Sequence, residues 1–347
     1  MDNPLARDLD HVLEHTEPLW AGARGARIFI TGGTGFVGTW ITESLLWANR
    51  RLGLDLSAVL LTRNPDAFRR RSPHLAGDAA VTLLTGDAAS FAWPTGSFAL
   101  VIHAATGHSV APDAEHPTGT FDRDIAAMRR VLDFARAAGV RRLLFTSSGA
   151  VYGKQPPELS HVSEDYPGAP LANDTASAYG AAKRVSEYLC ACYSQVYGIE
   201  AVIGRLFAFM GPHLPLDQHY AAGNFLRDVL RGGPIDIAGD GTPRRSYLYA
   251  ADLAIWLWTI LFRGQPARPY NVGSSQEISI ADLARAIGRE VAPDAEIRIA
   301  QTARPGTPAA RYVPSTDRAE KELGLRVWIP MDESIRRTRD WHRRASL

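Results

Sequence analysis

Thr31-Gly32-Gly33-Thr34-Gly35-Phe36-Val37-Gly38 is the stretch of this 347-residue chain that decides its fold. It follows a short apolar strand at 28–30 and opens a helical segment at 37–49. The first glycine permits a tight turn, the second lets the backbone approach a pyrophosphate, and the third allows the helix to pack closely on the strand. The helix N-terminus then faces the phosphates. This context predicts a dinucleotide-binding loop, with cofactor contacts at Gly32, Thr34, Gly35, Phe36, Val37 and Gly38.

Strands and helices continue to alternate after this loop. Apolar strands are expected at 57–62, 81–84, 100–103 and 143–147, with helical segments such as 124–138 between them. Such alternation implies a parallel sheet covered by helices on both faces, with right-handed crossovers. We therefore predict an α/β fold with a Rossmann-type, doubly wound parallel sheet.

Past residue 206 strands and helices no longer alternate regularly, and glycine and proline residues cluster. This change favours a smaller, interleaved C-terminal substrate-binding region. The apolar run 253–262 is about half the roughly 20 residues that span a bilayer, so it should be a buried helix. The predicted organisation is an N-terminal helical extension at 1–24, a dinucleotide-binding domain at 25–205 with returns from about 247–290, and a substrate region at 206–246 and 291–347.

Composition excludes several classes of partner. The chain has 38 basic and 37 acidic residues, so no excess of charge points to nucleic acid or to an anionic membrane. Residues 1–13 contain no continuous apolar run of the kind that a secretory signal needs, and we expect a cytoplasmic protein.

Cys190 and Cys192 lie two residues apart in a helical stretch, where their side chains point in different directions. We expect reduced thiols and no metal site.

Tyr179 and Lys183 are four residues apart and therefore share one helix face. A nearby ammonium stabilises a phenolate, which lets the tyrosine exchange a proton with an alcohol or ketone. The alternative is an ordinary surface pair. It is disfavoured because Ser147-Ser148 ends a predicted strand, where open α/β sheets bind their ligands.

The end of the second strand indicates the type of dinucleotide. An acidic residue there holds a ribose 2′-hydroxyl, whereas an arginine can pair with a 2′-phosphate. The chain has Thr62 and Arg63 and no acid at this point. We therefore expect NAD(P)(H), with NADP(H) slightly favoured through Arg63 and either Thr62 or Arg69. The alternative is a solvated arginine in an arginine-rich protein.

These motifs, in this order, resemble the extended short-chain dehydrogenase/reductase family, in its nucleotide-sugar epimerase/dehydratase branch. The resemblance extends over residues 26–345 and includes Val151-Tyr152-Gly153 after Ser148. Further matching stretches are Gly86-Asp87, His103-Ala104-Ala105-Thr106, Arg205-Leu206-Phe207, Gly211-Pro212, 245–252, Tyr270-Asn271-Val272-Gly273 and Arg304-Pro305-Gly306.

The resemblance implies a role for each matching residue. Tyr179 would be the acid/base, Ser148 would hold the reacting sugar hydroxyl, and Lys183 would bind the nicotinamide ribose. Additional cofactor contacts are implied at Asp87, Ala88, His103, Ala104, Ala105 and Thr106.

The implied substrate is a nucleoside-diphosphate sugar, with contacts at Ser148, Gly149, Asn224, Arg245 and Arg304. Guanidinium groups suit a diphosphate, so the two arginines would grip it. The alternatives are structural roles: a helix cap for Asn224 in place of a donor to the diphosphate, and ordinary surface charges for the two arginines. Asp252 is expected to cap the helix that follows it.

One departure from the branch narrows the chemistry. Dehydratases of this branch carry Asp-Glu, and decarboxylases carry Glu, immediately before Val-Tyr-Gly, whereas this chain has Gly149 and Ala150. The expectation is therefore a 4-epimerase or an NADPH-dependent 4-ketoreductase. The alternatives are a 4,6-dehydratase or decarboxylase with displaced acid/base residues, and a non-catalytic dinucleotide-binding sensor or scaffold. The family also implies a homodimer through helices near 124–138 and 179–191.

Overall fold

The computed structural model describes residues 3–106, 118–218 and 220–345. The α-helices are α1 Ala6–Thr16, α2 Phe36–Leu52, α3 Pro65–Arg71, α4 Pro73–Ala76, α5 Gly119–Ala137, α6 Ala178–Tyr197, α7 Ala221–Leu230, α8 Ala250–Arg263, α9 Ile280–Val291, α10 Asp317–Leu323 and α11 Met331–Ala345. The strands are β1 Arg27–Thr31, β2 Ser57–Thr62, β3 Val81–Thr85, β4 Leu100–His103, β5 Arg142–Ser148, β6 Glu200–Leu206, β7 Phe209–Met210, β8 Ile235–Ile237, β9 Arg244–Arg245, β10 Leu248–Tyr249, β11 Pro269–Val272, β12 Ile278–Ser279, β13 Ile297–Ile299 and β14 Arg311–Tyr312. Turns of 3-10 helix lie at Glu17–Ala23, Gly149–Tyr152 and Thr175–Ser177.

A seven-stranded sheet has the order β11-β6-β5-β4-β1-β2-β3. Its central strands pair in parallel, with Ile30 of β1 opposite both Leu60 of β2 and Ile102 of β4. Strands β1, β2 and β4 are almost wholly buried, as expected when helices cover both faces. The predicted doubly wound α/β fold is confirmed. The strand order reverses between β1 and β4, so a ligand crevice is expected at their carboxyl ends.

The chain divides into two compact units. The first contains Met1–Gly153, Pro167–Leu206 and Ala254–Tyr270. The second contains Lys154–Tyr166, Phe207–Leu253 and Asn271–Leu347, with smaller sheets of the orders β10-β7, β12-β9-β14 and β13-β8. The sequence-based boundaries placed 154–166, 247–253 and 271–290 with the dinucleotide-binding domain, and this division assigns those three segments to the second unit. Residue 206, predicted to begin the substrate region, lies in the first unit.

Aromatic side chains fill the core of the first unit. The ring of Phe29 on β1 lies 5.1 Å from that of Phe91, 6.0 Å from that of Phe98 and 4.8 Å from that of Phe134 on α5. Edge and tilted contacts of this kind add to the free energy that burial of the rings supplies. The sheet is thereby fixed to the helix layer beside it.

The N-terminal segment belongs to the same unit. Leu5, Leu9 and Val12 are buried, and α1 packs against α2. The following 3-10 turn buries Trp20, whose ring lies 4.6 Å from that of Trp258 on α8. The predicted apolar run at 253–262 is thus a buried helix. No helix in the described ranges is long and apolar enough to cross a membrane.

The second unit has a core of its own. Helices α7 and α9 pack over β8, and the buried side chains include Phe225 and Leu226 on α7, Leu283 and Ile287 on α9, and Ile235 on β8. Their amphipathic spacing explains why these helices form, since each must bury one apolar face.

The prediction that Asp252 caps a helix is wrong. Helix α8 begins at Ala250, so Asp252 lies inside its first turn, and the side chain is fully buried. Its carboxylate accepts hydrogen bonds from the backbone N–H groups of Trp328 (2.8 Å) and Ile329 (3.0 Å). The residue therefore joins α8 to the segment before α11.

Replacing Asp252 with alanine should leave two inward-facing N–H groups without this acceptor and lower the free energy of unfolding by about 2–4 kcal/mol. Urea denaturation of Asp252→Ala measures the loss. Glu296→Ala is the matched control, because it removes a carboxylate from a solvent-exposed ion pair with Arg298 and should not change the midpoint measurably. Equal midpoints for the two variants would contradict the assignment.

Candidate active site

The carboxyl ends of β1 to β5 carry most of the residues that sequence analysis selected. These strands are neighbours in one parallel sheet of the first unit, so their carboxyl ends share one edge. Helix α6 lies against β5. The glycine loop, the ends of the strands and the Tyr179–Lys183 face of α6 are therefore parts of a single unit.

The glycine loop has no room for side chains at two of its positions. Gly32 has φ +71°, and a Cβ there would lie 2.5 Å from the backbone of Ala104 and Ala105. A Cβ on Gly38 would overlap the carbonyl oxygen of Gly32. Gly35 caps α2 without a side chain, so the first N–H groups of this helix are available to an anion. The cradle fits the pyrophosphate of a dinucleotide.

His103 supports this loop from within the sheet. Its imidazole is buried, stacks on Phe145 and places Nδ1 2.6 Å from Oγ1 of Thr31. Burial, and to a lesser degree the charge of Lys183, lowers the pKa of His103 to about 3, so the ring is neutral near pH 7. The backbone N–H of Ala104 donates to the carbonyl of Thr31 at 3.0 Å. The side chain of His103 is thus bonded to the residue that begins the glycine loop, and its contact with a cofactor stays a prediction.

The end of β2 presents an arginine to solvent. Arg63 is exposed, whereas Thr62 is buried and its Oγ1 accepts from the N–H of Asn64 at 3.3 Å. Arg69 pairs with Asp66 at 2.8 Å. Sequence reasoning missed Arg71, which donates to the carbonyl of Thr34 in the glycine loop. The run of three arginines at 69–71 was the available signal.

The ends of β3 and β4 place the remaining cofactor candidates. The carboxylate of Asp87 accepts the N–H of Ala89 at 2.9 Å, so it shapes its own turn. Ala88 packs on the aromatic core. Ala105 and Thr106 follow β4 and are partly or fully exposed, beside the glycine loop.

Lys183 is fixed beneath the tyrosine. Its Nζ is buried, donates to the carbonyl of Thr146 at 3.1 Å and lies 5.7 Å from the ring centroid of Tyr179. Tyr179 is partly exposed at the start of α6. A buried ammonium below a partly exposed phenol can stabilise negative charge on that phenol while leaving it accessible to a substrate.

Ser148 ends β5 and begins the turn beside α6. Its Oγ accepts the N–H of Ala150 at 3.2 Å. Helix α6 approaches this turn so closely that a Cβ on Gly180 would lie 2.5 Å from the carbonyl oxygen of Ala150. Gly149 and Ala150 occupy the turn and supply no titratable group. The acid/base chemistry in this turn is therefore limited to hydroxyl groups.

The substrate candidates Asn224, Arg245 and Arg304 lie in the second unit. Asn224 does not cap a helix, because α7 begins at Ala221 after Tyr220. With its amide nitrogen turned toward the preceding loop, Asn224 donates to the carbonyls of Leu216 (3.2 Å) and Gln218 (2.7 Å).

The two arginines differ in how firmly they are held. Nη1 of Arg245 donates to the carbonyl of Arg244 at 2.8 Å, and its guanidinium lies 5.8 Å from the ring centroid of Tyr312. Arg304 lies in an exposed loop. Their diphosphate-binding role stays a prediction.

A glycine loop that fits a dinucleotide, together with a tyrosine–lysine pair on a helix packed against the same parallel sheet, is typical of a nicotinamide-dependent oxidoreductase. The chain belongs to the NAD dependent epimerase/dehydratase family, whose model matches residues 28–273. Members of this family modify nucleotide sugars.

Curated relatives and solved structures agree with this placement. UDP-glucuronic acid decarboxylase 1 of Xenopus tropicalis is 28% identical over 319 residues, covering 92% of this chain and 72% of the relative. The UDP-glucose 4-epimerase of Thermus thermophilus, solved with NAD, is 27% identical with a TM-score of 0.74, and the match covers 91% and 99% of the two chains. The UDP-glucose 4-epimerase of Thermotoga maritima, solved with UDP-glucose, has a TM-score of 0.78 at 20% identity over 92% and 100%, which shows the shared fold.

Replacing Gly38 with alanine should weaken dinucleotide binding at least tenfold, because the new Cβ forces α2 away from the loop. Titration of the purified variant with NADH and NADPH, followed by fluorescence, measures this. Gly22→Ala is the control, since no heavy atom lies within 4 Å of a Cβ at that position. Unchanged dissociation constants in a folded Gly38→Ala protein would refute the cradle.

Proposed function

We propose that the protein catalyses hydride transfer at C4 of the sugar of a nucleoside-diphosphate sugar, as a 4-epimerase or an NADPH-dependent 4-ketoreductase. The observation that carries the proposal is the pairing of Tyr179 and Lys183 beside Ser148, with Gly149 and Ala150 in the intervening turn. These groups suffice for oxidation and reduction of an alcohol. They do not provide the extra acid or base that elimination of water or loss of carboxylate needs.

The chain's residues divide the proton chemistry between them. Ser148 orients the sugar hydroxyl by hydrogen bonding, and Tyr179 takes or returns its proton. Lys183 stabilises the phenolate that results. The glycine loop would hold the pyrophosphate of a dinucleotide, and the nicotinamide of that cofactor would supply the acceptor or donor of the hydride. Positioning and proton transfer supply the acceleration.

The two reactions differ in what happens after oxidation. A 4-epimerase returns the hydride to the opposite face of the sugar and shows no net change of cofactor. A 4-ketoreductase consumes one NADPH in each turnover. Incubation with UDP-glucose, UDP-glucuronic acid and dTDP-glucose, and with their 4-keto forms, separates the two by nicotinamide absorbance and by product analysis.

Three other functions remain as alternatives. The similarity to UDP-glucuronic acid decarboxylases favours a decarboxylase whose acid/base residues lie outside positions 149 and 150. A 4,6-dehydratase with displaced acid/base residues is the second alternative. Release of carbon dioxide from UDP-glucuronic acid would identify the first. A non-catalytic sensor or scaffold would bind dinucleotide and turn over no sugar. Retention of both Tyr179 and Lys183 argues against it.

We also propose a homodimer formed through α5 and α6. Val185, Tyr188 and Val196 are exposed apolar side chains on α6, with side-chain spacing that places them along one side of the helix. Exposed apolar surface of this kind favours association. A second copy of the chain is the occupant that the family resemblance implies.

Tyr179→Phe should lower kcat by about 10²- to 10⁴-fold with substrate binding retained, because only the proton-transferring hydroxyl is removed. Steady-state turnover and isothermal titration with the nucleotide sugar measure the two effects. Tyr188→Phe removes a hydroxyl from an exposed tyrosine on the same helix and should leave kcat unchanged. Near-normal turnover by Tyr179→Phe would refute the mechanism.

For the cofactor, we propose that Arg63 pairs with the 2′-phosphate of NADP(H), supported by its exposed position at the end of β2 and by the lack of an acid there. Arg63→Ala should raise the dissociation constant for NADPH about tenfold and change that for NADH less than about twofold. Arg123→Ala, which removes an exposed charge on α5, is the control. Equal affinities for NADPH and NADH in the wild type and the variant would contradict the proposal.

A further inference from the structure

A charged cluster is buried between α6, β5 and β6. The carboxylate of Glu187 accepts the hydroxyl of Ser147 at 2.5 Å. Arg205 donates to the same carboxylate through Nε at 3.0 Å and through Nη2 at 2.7 Å. Its Nη1 donates to the hydroxyl of Tyr152 at 2.8 Å. The side chains of Glu187 and Arg205 are only about one-tenth exposed.

A contribution to stability is only a weak reason for burying Glu187 and Arg205 as a pair. Two charges lose their hydration on burial, and apolar replacements of similar volume often stabilise a protein equally well. Burial by itself would lower the pKa of the Arg205 guanidinium, but the hydrogen bonds and charge of Glu187 raise it above its ordinary value. Arg205 is therefore a permanent cation. Its guanidinium is hydrogen-bonded to both Glu187 and Tyr152, and the geometry of the cluster is correspondingly specific.

The cluster joins the elements that carry the proposed reacting groups, which are β5 with the turn that follows it, and α6. Ser147 precedes Ser148 at the end of β5, and Tyr152 closes the turn that Ser148 begins. Glu187 lies one helical turn after Lys183 and two turns after Tyr179 on the same face of α6.

Successive turns of α6 hold successive residues of β5. Lys183 donates to the carbonyl of Thr146, and Glu187 accepts from the hydroxyl of Ser147. Two such contacts fix both the rotation of the helix and its position along the strand. Tyr179 lies eight residues from Glu187, about 12 Å along the helix axis, so a tilt or rotation of α6 at the cluster would displace the phenol.

We propose that Glu187 and Arg205 are positioning residues that set Tyr179 of α6 in register with Ser148 of β5. The proposal rests on the proposed function, because it concerns the distance over which Tyr179 exchanges a proton. Proton transfer requires heavy atoms within hydrogen-bonding reach, and a misplacement of about 1 Å costs about 10²-fold in rate. The cluster itself contacts neither the nicotinamide nor the sugar in this account.

The first test is Glu187→Gln, which keeps the shape of the side chain and removes its charge. One amide N–H then faces the Arg205 guanidinium, and the helix shifts. The expected result is a 10- to 100-fold fall in kcat, with KM and the NADPH dissociation constant within about threefold of wild type. An unchanged kcat overturns the proposal, as does a loss confined to KM.

The matched control is Tyr193→Phe. Its hydroxyl donates to Asp133 at 2.5 Å, a bond as short as that of Ser147, but it joins the far end of α6 to α5. This variant should retain kcat. An equal fall in kcat in both variants would mean that any weakening of α6 lowers activity, which overturns the specific role of the cluster.

A double variant separates positioning from stability. Glu187→Met with Arg205→Met removes both charges together, and the flexible side chains can fill the space. The double variant should have a melting temperature closer to the wild-type value than Glu187→Gln has, while its kcat stays as low as that of Glu187→Gln. Recovery of both would overturn the proposal, because the pair would then act only through folding.

Amide hydrogen exchange keeps the test independent of turnover. In Glu187→Gln, exchange in residues 179–187 should rise relative to the wild type, whereas Tyr193→Phe should raise it only beyond residue 190. If the wild-type protein turns over no nucleotide sugar, the proposed function fails, and the exchange pattern still decides whether the cluster fixes this part of α6. Unchanged exchange in residues 179–187 overturns the inference.

Discussion

The contact of α6 with the carboxyl end of β5 is the interaction on which the rest of the site depends. The absence of a side chain on Gly180 lets the helix approach the turn after Ser148, and a buried lysine bonds to the last part of the strand. Because β5 is paired with β4, and β4 with β1, the position of the helix is transmitted through the sheet to the glycine loop. One rigid edge thereby holds the dinucleotide cradle and the proton-transferring groups together.

The fold was predictable because its determinants are local. Strand periodicity, the glycine spacing and the Tyr179–Lys183 interval each lie within a short window, where sequence maps directly onto geometry. The features that the sequence did not predict depend on contacts between residues distant in the chain. Asp252 accepts from backbone N–H groups 76 and 77 residues away, and the buried ring of His103 stacks on Phe145 of another strand. No local pattern carries such information.

In the candidate site, too, local motifs were predictable and contacts between distant residues were not. Ser148, Tyr179 and Lys183 could be selected as candidates from the sequence because they form a motif, whereas the partners that hold them could not. Glu187 and Arg205 meet only when α6 and β6 pack on β5, so their pairing across 18 residues was not apparent from spacing. For the second unit, the sequence proposed Arg245 and Arg304 from resemblance alone, and their contact with a diphosphate awaits a bound ligand.

Isotopic labelling at C4 of the sugar distinguishes hydride transfer without elimination from the other reactions of the family. A nucleotide sugar carrying deuterium at C4 is incubated with the protein and NAD(P)⁺, and the position of the label is read by mass spectrometry and NMR. We expect deuterium to be retained at C4 of an epimerised product or transferred to the nicotinamide, with the carbon skeleton intact. Three results would contradict hydride transfer at C4 without elimination: transfer of the label to C6, release of carbon dioxide, or no reaction of any nucleotide sugar with either NAD⁺ or NADP⁺.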